Sequence, residues 1–286
     1  MGDSSVADLQ GSGAGIGAPR ALNRDTQLAK AVSDIAEGLT RWGLWGTMGL
    51  HDIRQRYRRS IIGPFWLTLS MGIMVATLGF LYSGLFGQPF REYLPFLALG
   101  LVVWSFIASL VLEGCGAFIA SEGVIRNMRT PLTGHVLRIV WRNLIVFGHN
   151  IIIYLLIVLI FGLWPTTTTL LAIPGLLILC INGIWTGMLL GLISTRYRDV
   201  PPIVASIVQI FFLLSPILWK KEQLSDYQFI VQFNPFYHFV EIVRMPLLGQ
   251  APAPTTWLVV LGITLLGCII AFGSFVRYRG RIAYWV

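Results

Sequence analysis

Six stretches of this chain are long and apolar enough to cross a bilayer, and no other feature restricts its fold so tightly. With soft boundaries they run over 64–86, 94–117, 139–163, 170–193, 203–219 and 257–276. A spanning helix needs about 20 mostly apolar residues, because in hydrocarbon each backbone amide must be satisfied within its own segment. Only 12% of the chain is charged, against about 25% in a soluble domain. The spacing predicts an all-α integral membrane protein with six transmembrane helices. The segment 228–248 is also apolar, but Pro235, Glu241, Arg244 and Pro246 interrupt it. Pieces that short read as re-entrant helices between the fifth and sixth spans.

Charge sets the direction of the spans. Of the 21 basic residues, seventeen lie before the first span, in the second-to-third and fourth-to-fifth connections, and after the last span. Arg91, Lys220, Lys221 and Arg244 lie on the other side. The positive-inside rule therefore places both termini in the cytoplasm. A net charge of +8 does not point to nucleic acid, because the charges flank apolar runs instead of forming a basic face on a soluble fold. All but Lys30, Lys220 and Lys221 are arginine. Arginine pairs with phosphate through two parallel hydrogen bonds, although a GC-rich genome produces the same bias.

Residues 1–31 are rich in Gly, Ser and Ala and read as a disordered cytoplasmic tail with no cleavable signal. Residues 32–60 read as an amphipathic helix lying in the membrane interface. Val32, Ile35, Leu39, Trp42, Leu50, Ile53 and Tyr57 form one stripe on a helical wheel. Asp34, Glu37, Arg41, Asp52, Arg54, Arg58 and Arg59 fall opposite, toward phosphate or water. Gly63-Pro64 then turns the chain into the first span. The cluster Arg54, Arg56, Arg58 and Arg59 has two compatible readings: a topology anchor on lipid headgroups, or a grip on the phosphate of a lipid-linked substrate.

Catalytic signals are missing. There is no GxxxxGK[ST] loop, so this chain makes no P-loop nucleotide site alone, and neither HExxH nor GxSxG occurs. His51, His135, His149 and His238 have no carboxylates at metal-like spacing, and Cys115, Cys180 and Cys268 sit in apolar runs as packing residues. Polar residues inside the spans are few: Glu113, His149, Asn150, Asn182 and Gln209. Glu113 falls near the cytoplasmic end of its span, so no ion path emerges; His149 and Asn150 read as interhelical hydrogen-bonders. The aromatics Phe80, Tyr82, Phe86, Phe211, Phe212 and Trp219 gather in the outer parts of the first and fifth spans. They form either an interfacial belt or a lining on which sugars stack. SEGVIRNMRTP, 121–131, and TRYRDVPP, 195–202, are compact basic connections. The first has the character of a small exposed helix that a soluble partner could grip.

Six segments carry a resemblance. They are RYRRSIIGPFW at 56–66, IRNMRTP at 125–131, RYRDV at 196–200, SPILW at 215–219, NPFYHFVEIVR at 234–244 and RYRGRIAYWV at 277–286. In this order and topology the chain, from about residue 33 to its end, resembles the membrane subunit of ABC-2-type polysaccharide exporters. That family moves O-antigen, capsular polysaccharide and teichoic acid. The resemblance implies a homodimer in the bacterial cytoplasmic (inner) membrane, joined to two ATP-binding-cassette subunits that hold ATP and Mg, with no cofactor in this chain. It implies that Glu122, Arg126, Asn127, Met128 and Arg129 couple to the ATPase. It places Asn234, Pro235, His238, Glu241 and Arg244 at an outer gate, and Tyr82, Phe86, Phe211, Phe212 and Trp219 along the translocation path. An undecaprenyl-pyrophosphate-type glycolipid would present its pyrophosphate to Arg54, Arg56, Arg58 or Arg59. Rivals are an ABC-2 exporter of drugs or simple lipids, a membrane-embedded acyl- or glycosyltransferase, and a secondary transporter. The last two lack their paired carboxylates or midplane charges.

Overall fold

The computed structural model describes residues 24–286 except 57, 59–62, 64 and 224–227. The described residues form eleven α-helices and no strand. In chain order these are α1 (Arg24–Thr40), α2 (Trp42–Arg56), α3 (Phe65–Leu85), α4 (Phe90–Cys115), α5 (Glu122–Asn127) and α6 (Leu132–Phe161). There follow α7 (Ala172–Arg196), α8 (Val200–Leu214), α9 (Gln228–Phe233), α10 (Pro235–Leu247) and α11 (Pro254–Trp285).

Five helices are long and apolar enough to cross a membrane: α3, α4, α6, α7 with the turn that leads into it, and α11. The segment expected as the fifth span is the exception. α8 has 15 residues, about 22 Å of helix, less than the ~30 Å hydrocarbon core. It stops where it does because Ser215 precedes Pro216 and is extended, with ψ 141°; a residue before proline is pushed out of helical geometry.

α4 is the central column. Tyr93, Leu97, Val102, Phe106 and Leu110 are buried along its length, packed against α3, α6, α7 and α10. α3 packs on this core through Val75 and leaves Phe65, Leu69, Ile73, Phe80 and Leu85 exposed. α4 and α7 cross closely because glycines meet there. A Cβ on Gly114 would stand 2.9 Å from the Gly187 Cα, and Gly191 abuts the Gly114 carbonyl. Gly183, Gly187 and Gly191 repeat every four residues on α7, the small-residue spacing that lets membrane helices approach.

The amphipathic segment differs from expectation in three ways. The helix begins at Arg24, inside the stretch expected to be disordered. It is two helices and not one: the indole Nε1 of Trp45 donates to the Gly38 carbonyl at 2.9 Å, satisfying an acceptor in the last turn of α1 while the chain turns at Arg41. The wheel also assigned Asp34 to the water side, yet Asp34 is 2% exposed. Of the apolar stripe, Val32, Leu39, Trp42 and Leu50 are exposed, whereas Ile53 is buried and Ile35 packs on the core. From the polar side, Asp34 and Asp52 dock on the protein through ion pairs, while Arg41, Arg54 and Arg58 stay exposed. Tyr57 and Arg59 lie outside the described residues. Gly63 has φ +62°, the left-handed conformation that suits glycine at a corner.

Candidate functional site

The long helices run between two ends of different chemistry. At one end α2 is tied to α6 and α4 by a chain of charges. Arg138 Nε donates to Asp52 Oδ2 at 2.6 Å and its Nη2 to Oδ1; Arg142 Nη1 donates to Oδ2 at 2.9 Å. Arg142 Nη2 and Asn143 Nδ2 each reach Glu113 Oε2 at 2.6 Å. Burial alone would raise the Asp52 carboxyl, but the Arg138 and Arg142 guanidiniums outweigh it and hold its pKa below the usual value. Arg142 Nε is buried with no hydrogen-bond partner among the described residues.

The expected phosphate-gripping arginines sit on the edge of this network. Arg56 Nη2 lies 3.6 Å from Glu113 Oε1, with half of its side chain exposed. Arg54 borders an open pocket of about 590 Å³ together with His51, Asp52 and Arg138. Arg58 is exposed. Arg54 and Arg56 thus border the network at separate points; Arg59 falls outside the described residues.

A second node joins the same end. Asp34 accepts from Leu132 N at 3.1 Å, Thr133 N at 3.0 Å and Thr133 Oγ1 at 2.8 Å. Arg279 Nε and Nη2 reach its Oδ2 at 3.0 and 2.8 Å. The carboxylate therefore caps the N-terminus of α6 from another helix, where free amides and the helix dipole favour an anion. The segment entering α6 holds the residues expected to couple. On α5, Arg126 pairs with Glu122 at 3.1 Å and donates to the Val286 backbone oxygen. Asn127 Nδ2 donates to Gly123 O at 2.8 Å. Arg126, Asn127, Met128 and Arg129 are all exposed, Met128 by 64%.

At the opposite end, the residues expected at a gate are largely built into the protein. Asn234 caps α10, accepting from Phe236 N at 2.9 Å and donating to Ser215 Oγ at 2.9 Å, and Pro235 opens the helix. His238 is buried between Thr256 Oγ1 and the Gln232 carbonyl, at 3.2 and 2.8 Å. Glu241 and Arg244 form a buried pair; Arg244 Nη1 also donates to Pro216 O at 2.7 Å and its guanidinium lies 4.0 Å from the Phe96 ring centre. Above this pair opens a cavity of about 920 Å³, between the start of α4, the end of α6, the 216–222 segment and α10.

The aromatics expected along a path pack among themselves and against α4 and α10. Tyr82 stacks on Phe86 at 5.4 Å, Phe211 meets Phe236 at 4.8 Å, and Phe212 meets Trp104 at 5.7 Å. All four, and Trp219, are half-buried.

The sequence named Asp34, Asp52 and Glu113 but gave none of them a role in tying helices together. Asp34 and Arg279 are 245 positions apart, and only the fold joins them. The available signal was the scarcity of acids in an arginine-rich end: each acid there has several cations to choose from.

Five apolar helices, a glycine-mediated crossing and one arginine-rich end define an integral membrane protein of helical-bundle type. The chain belongs to the ABC-2 type transporter family, which matches residues 44–248. It is similar to the O-antigen export system permease protein RfbA of Myxococcus xanthus, with 23% identity over 184 residues, 64% of this chain and 71% of that protein. A protein of the same name from Klebsiella pneumoniae is 22% identical over 186 residues, 64% of this chain and 72% of the relative.

Proposed function

We propose that this chain is the transmembrane subunit of an ATP-driven exporter that moves a lipid-linked polysaccharide across the cytoplasmic membrane. Its likeness to permeases of O-antigen export systems over 184 residues carries the reading. Two copies form the path, and each binds one ATP-binding-cassette subunit. α8 makes a sixth, short span, α9 and α10 are re-entrant on the outer side, and both termini face the cytoplasm.

In this reading the exposed turn from Arg126 to Arg129 seats on the ATPase. It leads directly into α6, whose N-terminus is held by Asp34, so a push on α5 reaches α1 and α11 through one carboxylate. The pyrophosphate of an undecaprenyl-pyrophosphate-type glycolipid meets Arg54, Arg56 and Arg58 before the glycan passes between the copies. Arg56 is the most readily released of the network's arginines, since a half-exposed ion pair at 3.6 Å contributes about 0–1 kcal/mol. Tyr82, Phe86, Phe211, Phe212 and Trp219 offer ring faces toward the path.

Deleting the gene for this chain and restoring it tests the reading. Export predicts loss of surface polysaccharide and build-up of lipid-linked polymer inside; an unchanged surface would overturn it. Joint replacement of Arg56 and Arg58 by Ala should bind vesicles bearing polyprenyl pyrophosphate much more weakly while barely altering binding to phosphatidylglycerol vesicles. Parallel losses on both would assign these arginines to bulk lipid.

A further inference from the structure

The cavity at the end opposite the arginine cluster has a composition that the passage between two copies does not explain. It is lined by the start of α4, the end of α6 with its following loop, the 216–222 segment and α10. At about 920 Å³ it falls in the ~300–1,000 Å³ range of small-molecule sites.

Its floor is the Glu241–Arg244 pair, 4% and 1% exposed. Taking two charges out of water costs several kcal/mol per ion, and an apolar pair of the same size is often as stable. A charged floor therefore calls for a role beyond holding the fold. Glu241 spends only Oε1 on Arg244; among the described residues its Oε2 has no hydrogen-bond partner, and Glu241 borders the cavity. One carboxylate oxygen at the cavity floor is thus left to accept from whatever fills the space.

The walls are aromatic and polar together. The Phe96 ring covers Arg244. The Tyr237 hydroxyl lies 3.4 Å from Lys221 Nζ. Trp164 stands at the rim, 81% exposed. Four basic and three acidic side chains border the cavity, so their charges nearly cancel. An anion trap would carry an excess of cations, as the opposite end does. Ring faces for C–H groups, a free carboxylate oxygen, and guanidinium and ammonium donors suit a neutral polyhydroxyl compound.

We propose that this cavity is a saccharide-binding site, one per copy and apart from the path between copies, which holds a short neutral stretch of the exported glycan on the outer face. The site rests on the export reading above. It gives the emerging chain a place to bind, and so biases it against sliding back between ATP cycles.

The test uses the complete exporter, with its ATPase, in lipid nanodiscs. The probe is the oligosaccharide set released by mild acid from the polymer that accumulates when this chain is deleted. Calorimetric titration should show binding that Trp164→Ala weakens about tenfold, the loss of one ring contact worth about 1 kcal/mol or slightly more. Trp164 is too exposed for its loss to unfold the protein. Tyr237→Phe should weaken binding several-fold, with melting temperature and basal ATPase activity unchanged for both. Arg56→Ala should leave oligosaccharide affinity intact. Absence of binding by the unaltered exporter, equal binding by Trp164→Ala, or displacement of the oligosaccharide by inorganic phosphate would each overturn the site while leaving export itself standing. A deletion that accumulates no polymer would instead remove the export reading.

Discussion

Removing the Asp34 carboxylate should detach α1 from the bundle without unfolding it. Asp34→Ala deletes five hydrogen bonds around a side chain with no exposed surface. It leaves two amides at the start of α6 and the Arg279 guanidinium without their acceptor. Truncating one partner of a buried, hydrogen-bonded charge costs about 3–5 kcal/mol. The individual bonds share that figure and do not add to it, because they converge on one group. The loss is local, since the contacts of α4, α6, α7 and α11 in the main core do not involve Asp34. Hydrogen exchange at Leu132 and Thr133 reads it directly: 3–5 kcal/mol is about a hundred- to several-thousand-fold in the opening equilibrium. Asp34→Asn keeps an oxygen for Thr133 and should lose roughly half as much. Arg279→Ala should cost only about 1 kcal/mol, because that side chain is 31% exposed. Unaltered exchange at Leu132 and Thr133 in Asp34→Ala, or an Arg279→Ala loss as large as that of Asp34→Ala, would refute the reasoning.

Three further outcomes follow from other contacts. Gly114→Ala should lower the melting temperature in detergent by an amount equivalent to about 1–3 kcal/mol, because its Cβ would stand 2.9 Å from the Gly187 backbone. Gly123→Ala, with nothing within 4 Å, should have no such effect, and equal melting of the two would disprove the crossing argument. The lowered pKa of Asp52 means that its contribution to docking α2 is complete above the unfolded value near 4. It is lost as pH falls through the lower folded value. Fluorotryptophan NMR of the Trp45–Trp141 contact, 6.2 Å between ring centres, should therefore be flat from pH 7 to about 4 and change only below, and Asp52→Asn should abolish that acid step. Arg126→Glu sets like charges four residues apart on α5 and should cut ATPase stimulation severalfold in the reconstituted complex with the fold intact; undiminished stimulation would free α5 from the coupling role.

How much of this was visible beforehand depended on the kind of force involved. Apolar runs such as 94–117 announce a span because the bilayer demands length and hydrophobicity from each helix alone. The end of α8 was misplaced because hydropathy continues through Ile217 and Leu218, while the backbone is broken earlier by the Ser215-Pro216 pair. Residues 32–60 showed the correct apolar stripe, but a wheel cannot tell which face meets protein. The answer lay in Arg138, Arg142 and Arg279, more than 80 positions away. The glycine repeat at 183, 187 and 191 was present in the sequence as a packing signal, but its partner Gly114 required the fold. Among the site residues, Met128 and Arg129 are exposed, which the sequence pattern alone does not establish. Glu241 and Arg244, expected at an outer gate, are buried at the floor of a cavity, and their pairing needed the fold to show it.

The two ends of the molecule pose different chemistry to anything that passes from one to the other. At the α2 end, arginines outnumber the carboxylates that hold them, and the contacts grade from tight to loose. Arg138 and Arg142 are fixed on Asp52, whereas Arg56 touches Glu113 at 3.6 Å and stays half exposed. A phosphate with close to two charges can displace that loose contact without disturbing the tight ones, so binding an anion there need not undo the docking of α2. At the far end the charges nearly cancel and rings are prominent, which suits a neutral polymer and gives phosphate no advantage. A cargo with an anionic lipid head and a neutral glycan is complementary to both ends at once. A simple lipid or an apolar drug would leave the far cavity, with its charged floor, without a matching group, and this asymmetry is what favours the proposed glycan cargo over others.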